Sequence, residues 1–282
     1  IEFPRFSRRG GFAESFPNTV PFNEAIGFTA RVDDRDPKDI DYPYFVTAHE
    51  VAHQWWAHQV VPANVQGGEF ITESLAEYSA LMVLKHKYGD EKMRRFLKFE
   101  LDRYLAGRGT EQKGEQPLLR ADGAAYVHYQ KGSHVLYALQ DAIGEKAMSE
   151  ALSAFVDRWR FKGPPYATSR DLVAELRRVT PPDRQGLIDD FIETITFFDS
   201  RAMSASARRQ SDGKYAVTLV VLGKKTRADS AGSEEERPLA MAMDIGVQDA
   251  QGRYLFLDKR EVRSGENRFE IVVDGVPARF AA

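Results

Sequence analysis

The chain contains no cysteine, which excludes disulfide bridges, thiolate metal ligands and a cysteine nucleophile. It says little about compartment, since secreted bacterial proteins can also lack cysteine. Excess positive charge is missing too. Lys and Arg number 39 against 42 Asp and Glu, a net charge of −3 with a pI near 6.1. No broad basic field exists to hold phosphate backbones or anionic lipid, so no nucleic-acid partner is expected. Long apolar runs are absent: stretches such as YAVTLVVLG at 215–223 fall well short of the roughly 20 residues that span a bilayer. This segment is therefore expected to make no membrane contact of its own. It also begins at IEFPRF, with neither an initiator methionine nor a signal peptide, and closes in the strand-like RFEIVVDGVPARFAA. It reads as an excised fragment, and nothing in it indicates an oligomeric state or a localisation.

What is present suits one large or two to three small globular units: 282 residues, 43% hydrophobic and 29% charged, are enough to bury a core. Residues 1 to about 42 are rich in Gly, Pro, Phe and Arg and include the alternating AIGFTARV (25–32), which reads as a strand. Asp41 with Pro43 suits a helix start, and apolar residues recur from Tyr44 to Trp56 before Pro62 forbids continuation. A second helix is expected from Thr72 through ESLAEYSALMVLKHKY to Gly89. From Asp90 to about Asp199 the pattern stays helical, including RQGLIDDFIETITFF, and Thr168 with Asp171 resembles a capping box. After Ser200 short alternating runs parted by Gly, Asp and Ser indicate a small all-β unit, in which the acidic GSEEER (232–237) reads as a solvated loop.

One decapeptide, TAHEVAHQWW at 47–56, carries chemistry. Positions i and i+4 share a helix face about 5–6 Å apart, so His49 and His53 can close on one ion with Glu50 beside it. A hydrolytic zinc takes three protein ligands and a water, whose proton a neighbouring carboxylate can accept, and Glu50 fits that base. His-Glu-x-x-His also arises by chance on polar helix faces. Here the flanks Phe45, Val46, Val51, Ala52, Trp55 and Trp56 are apolar, and two buried histidines with a glutamate need a cation. Glu73, after the turn-rich VVPANVQGG, is placed to be the third ligand, and Glu77 one turn later to accept the free N–H of a ligating histidine. The alternative for Glu73 is an N-terminal helix carboxylate favoured by the helix dipole.

With these segments the sequence resembles the aminopeptidase N-like family of gluzincin zinc peptidases. HEVAHQWW is similar to the family's HELAHQW helix, TESLAEY to its NEGFAEY segment, and YQKGSHVL (129–136) to its Tyr-x-Lys-Gly element. The resemblance covers about residues 20–200. It implies an α+β fold: a thermolysin-like zinc peptidase catalytic unit with a helical array and a small C-terminal β-sandwich. The expected divisions are 1–89 for the zinc-binding part, 90–200 for the helical part completing the catalytic domain and 201–282 for the sandwich. It implies one zinc held by His49, His53 and Glu73, with Glu50 activating water and Tyr129 stabilising the oxyanion during hydrolysis of a peptide substrate. The large N-terminal β domain of the family is missing. Nineteen residues, in place of the family's eighteen, separate His53 from Glu73, for which a one-residue loop adjustment is expected. The Gly-x-Met-Glu-Asn motif that binds a substrate's free amine is also missing. PFNEAIGF is its nearest match, with Glu24 in the anchoring role. SFPNTVPFNEAIGF and AHQVVPANVQG also look like peptidase domains fused to bacterial transporter permeases, which implies a membrane-bound parent. Two rivals to an aminopeptidase remain open: an endopeptidase with the same chemistry, and a non-catalytic zinc-containing peptide-binding or assembly domain.

Overall fold

The computed structural model describes residues 13–281 apart from Phe28, Asp34, Pro37, Lys38 and Lys113. The chain divides into two compact units, the first ending at Ile195 and the second starting at Thr196. The first is helical and carries the histidines. Its N-terminal described stretch differs from expectation: no strand forms among the described residues of 25–32, and a four-residue helix, α1 (Glu24–Gly27), stands at its start instead. Asn23 accounts for it, because its side-chain oxygen accepts from the Ile26 N–H and its carbonyl from Ile26 and Gly27. Such local side-chain bonds compete with strand pairing.

Helix α2 (Tyr42–Ala52) begins as its sequence predicts. The Asp41 carboxylate accepts from Tyr44 N–H at 3.2 Å, and Pro43 occupies the first turn. The same carboxylate accepts from Lys87 Nζ at 2.9 Å and from the Tyr88 hydroxyl at 2.5 Å. The start of α2 is thereby tied to the end of the following helix. Burial alone would raise the Asp41 pKa, but these donors hold it below the usual carboxylate range. The end of α2 comes four residues before Trp56. The chain turns back there, with Ala57 at φ 132° and Trp56 bridged to Val60.

The next helix starts before Thr72. It opens with a wide π turn over Phe70–Ser74 and continues as α3 (Leu75–Tyr88), closed by Gly89 at φ 77°. An L side chain at that φ would be strained, which is why glycine ends the helix. Helix α3 runs through the middle of the unit, with Leu75, Ala76, Ala80, Leu81 and Leu84 fully buried. It packs against α2, α4 (Asp90–Gly109) and α5 (Gly132–Ile143). Ile40, Phe45, Leu81, Leu84, Met93 and Phe96 form one cluster among the first three of these. Each such side chain contributes roughly 1.5–3 kcal/mol on burial, enough to fix the relative positions of the helices that bear the site.

A second π turn, Tyr126–Lys131, leads directly into α5 and packs against α4. Helices α6 (Glu145–Trp159) and α7 (Ser169–Val179) pair with each other. The Asp171 carboxylate accepts from Thr168 N–H at 2.9 Å in the expected capping box. After α8 (Gln185–Ile188) and a last π turn, Asp189–Glu193, helical structure stops. ITFF (195–198), which follows the helical pattern in sequence, instead belongs to a strand. Among the described residues no helix is long and apolar enough to cross a membrane.

The second unit is all β. One sheet pairs β1 (Ile195–Arg209) with β2 (Tyr215–Ala228), and β2 with β3 (Glu234–Arg237) and β6 (Gly265–Val273). The other has the order β5 (Tyr254–Arg263), β4 (Ala240–Gln248), β7 (Arg279–Ala281). Val217, Leu219 and Val221 alternate inward on β2 and share a core cluster with Ile245, Val247, Val262, Ile271 and Val273. The acidic stretch expected as a loop contains β3. Its register sets Arg227 opposite Glu235 and Lys225 opposite Arg237, and Thr226 Oγ1 donates to Glu234 at 2.8 Å. Its side chains are largely exposed, so it lacks the apolar alternation that marks a strand in sequence.

Candidate active site

Helix α2 and the residue capping its end place His49 and His53 on one face, and the π turn before α3 brings Glu73 to them. Each residue offers one ligand atom, and these atoms lie within 4.8 Å of one another. The two Nε2 atoms are 3.0 Å apart, and Glu73 Oε2 is 3.4 Å from each. The other ring nitrogens are engaged: His49 Nδ1 lies 2.5 Å from Glu77 Oε2, and His53 Nδ1 lies 2.8 Å from the Trp56 carbonyl. The Trp56 carbonyl accepts from His53 Nδ1–H and the Glu77 carboxylate faces His49 Nδ1, which leaves Nε2 of each imidazole as the atom to offer a lone pair. Two facing lone pairs and a carboxylate oxygen then converge. Glu73 Oε2 is buried with no hydrogen-bond donor of its own. That donor set fits a cation, and two histidines with a glutamate suit zinc.

The electrostatics agree. Burial disfavours a charged His49, but Glu77 and Glu73 outweigh it and push its pKa up to about 10, so the protein favours positive charge at this point. Burial would raise Glu73 as well, yet the two histidines hold it well below the ordinary carboxylate range. Glu50 shifts the other way. It is buried, and desolvation raises its pKa against the pull of His49 and His53. A carboxyl raised in this manner is a stronger base at neutral pH.

Tyr129 sits in the second π turn with its ring 5.6 Å from that of His49. Burial, with Glu73 adding to it, raises its pKa, so the hydroxyl remains a donor. Its segment is held in two ways. Lys131 pairs with Glu115, a buried carboxylate that also accepts from Arg108 at 2.8 Å and from the Tyr104 hydroxyl at 2.7 Å. Ser74 Oγ, next to Glu73, donates to the His128 carbonyl at 2.5 Å. The turns touch at Gly132, where an added Cβ would stand 2.6 Å from Ser74 Cβ and 2.2 Å from Ser74 Oγ. Only glycine permits that approach. Both Glu73 and Tyr129 thus lie in π turns, which recur at functional sites in helices.

A cavity of about 270 Å3 is bordered by His49, Glu50, Glu77 and Tyr129 together with Phe45, Arg103 and Gln130. Glu24 is not among the residues that line it. A larger, apolar groove of about 840 Å3, bordered by Val51, Trp55 and Met82, lies on the opposite face of α2. Sequence reasoning passed over several supports of this site. The Trp56 carbonyl is invisible because a backbone group has no letter. Glu115 and Glu100 lie in other segments without a spacing rule. Glu100 is fully buried, and desolvation with the neighbouring Glu77 pushes it up to about 9, so it stays neutral. His128 adjoins Tyr129 but faces Glu69, with Nδ1 2.7 Å from Glu69 Oε2 and a pKa lowered by burial.

The chain is similar to known proteins. In the solved structures, the chain is similar to aminopeptidase A of Legionella pneumophila in complex with aspartic acid, at 16% identity and a TM-score of 0.52 over 94% of this chain and 28% of that one. It is also similar to an M1 zinc metallopeptidase from Deinococcus radiodurans, at 20% identity and a TM-score of 0.46 over 65% of this chain and 37% of that one. Among curated sequences it is 26% identical over 119 residues to a Caenorhabditis elegans protein named as an aminopeptidase (aminopeptidase-2), spanning 41% of this chain and 6% of that protein. The chain therefore spans well under half the length of these relatives. The model of the peptidase family M1 domain matches residues 32–194, more than half of the chain. The chain belongs to peptidase family M1, the zinc metallopeptidases.

Proposed function

We propose that this chain hydrolyses peptide bonds with zinc held by His49, His53 and Glu73, and that it removes residues from peptide N-termini. The observation that carries the reading is the convergence of two imidazole lone pairs and an unsatisfied carboxylate oxygen, with Glu50 alongside. When bound, zinc supplies Lewis acidity toward the attacking water and the scissile carbonyl. Glu50 takes the proton of that water and delivers it to the departing amine. The Tyr129 hydroxyl donates to the carbonyl oxygen as negative charge grows there. Glu77 orients His49 through Nδ1, and the Trp56 carbonyl does the same for His53. In this reading the first unit is the thermolysin-like catalytic part, and the two sheets after Thr196 are the small β-sandwich of the family. Similarity to permease-fused peptidase domains supports a membrane-bound parent, for which fractionation of the native protein is the check.

A purely structural zinc needs neither Glu50 nor Tyr129, so both argue against a non-catalytic domain. Glu50→Gln is expected to keep its zinc and lose nearly all turnover. Tyr129→Phe is expected to keep its zinc and lose about 10²–10³ in kcat. Full turnover in Glu50→Gln would sink the reading.

A second reading, an endopeptidase, is favoured by the absence of Glu24 from the cavity wall. Matched peptides with free and acetylated N-termini separate the two. In the aminopeptidase, Glu24→Ala weakens kcat/KM for the free amine by about 10- to 100-fold and leaves the acetylated peptide alone. Faster cleavage of the acetylated peptide by the parent makes it an endopeptidase.

A further inference from the structure

The cavity beside His49, Glu50 and Tyr129 has a second charged end. Besides His49, the cation-bearing side chain on its wall is Arg103, on α4. Arg103 is exposed and forms no ion pair among the described residues. Its guanidinium carbon stands 5.2 Å from the centroid of the Phe99 ring. A guanidinium resting on an aromatic face keeps its N–H edge free for a planar anion.

The place of Arg103 matters as much as its charge. The same residue, with Ala125 and Gln130, borders a neighbouring depression of about 490 Å3, so the two hollows meet at Arg103. A peptide lying in the first hollow, whose 270 Å3 is near the lower end of small-ligand sites, leaves past this guanidinium. Glu50 and Glu77 line the inner part, and Glu111 lines the outer depression. Each repels an anion, which confines a substrate carboxylate to the junction between them.

We propose that Arg103 is the specificity-determining residue of this site and binds a carboxylate carried by the peptide, supplied by an acidic side chain or by the C-terminus. The inference rests on the peptidase reading above. Arg–carboxylate pairs are frequently bidentate, which adds orientation to attraction. Neutral peptides lose that contact and bind through the cavity wall alone.

The test uses zinc-loaded protein and matched short peptides: a neutral peptide with a free C-terminus, its C-terminal amide, and amides carrying Glu or Gln at successive positions. In the parent, one carboxylate-bearing member is expected to exceed its neutral match in kcat/KM by about 10- to 100-fold. The free-acid/amide pair reports the C-terminus, and a Glu/Gln pair reports a side chain. Arg103→Gln should bring that ratio close to one, and Arg103→Lys should restore part of it. A residue that only acts on the buried Glu100 beside it would instead lower every peptide by a common factor. That uniform loss, or a parent with no preference in any pair, overturns the proposal. If no peptide is cleaved, the peptidase reading fails separately. Calorimetric titration of the same pairs into zinc-loaded parent and Arg103→Gln then decides carboxylate recognition without turnover.

Discussion

The two units solve the burial of a core in opposite ways. The β unit gathers Val217, Leu219, Val221, Ile245, Val247, Val262, Ile271 and Val273 into one apolar cluster. The helical unit has an apolar cluster of its own, yet it also buries His49, Glu50, His53, Glu77, Glu100, His128 and Lys131. Buried charge costs free energy unless something of opposite sign meets it. In the β unit the core completes itself. In the function proposed above, part of the helical core is a receptor for a cation, which would link the stability of that unit, and not of the other, to zinc.

Removing a ligand should divide the units most sharply. His53→Ala is expected to abolish zinc binding and turnover together, read by metal analysis and peptide assay. Chelation of the parent should lower the melting temperature of the helical unit while the β unit keeps its own, followed by hydrogen exchange. Equal destabilisation of both units would break the comparison. Next comes Glu77→Ala, which leaves all three ligands but frees the His49 Nδ1–H. Zinc affinity should fall about 10- to 100-fold, measured by competition with a chelator.

Gly132→Ala acts on the contact between the two π turns. The added methyl cannot fit against Ser74, so one turn must shift at a cost of about 1–3 kcal/mol. Turnover should fall more than zinc affinity, because Tyr129 moves while the histidines stay. The smallest effect on the site is expected from Leu219→Ala. It should destabilise the β unit by about 2–5 kcal/mol, with zinc content unaltered. Loss of zinc in that variant would show that the units are energetically coupled.

Much of the site could be read from residue order because its parts use short-range rules. His49 and His53 obey helical spacing, Asp41 with Pro43 marks the start of α2, and the capping pair Thr168 and Asp171 is visible as letters. Where the sequence misled, a local pattern met a tertiary demand. Trp56 continues the apolar period of α2, but the chain must turn there to bring its carbonyl to His53. Residues 25–32 alternate like a strand, yet Asn23 turns the first of them into a helix. Strand β1 runs largely exposed and β3 is acidic, so neither shows the half-buried alternation on which strand recognition depends.

The π turn at Phe70–Ser74 bears on how such sites are counted. One residue added to an ordinary α-helix rotates every later side chain by about 100°, enough to swing Glu77 away from His49. A wide turn can hold an added residue locally, and α3 then continues with its inward face unchanged. The π turn at the ligand itself is a place where the nineteenth residue between His53 and Glu73 fits without a longer loop. A search pattern with a fixed gap would pass over this chain. One written for the angle between two helices, with the gap left free by a residue, would find it.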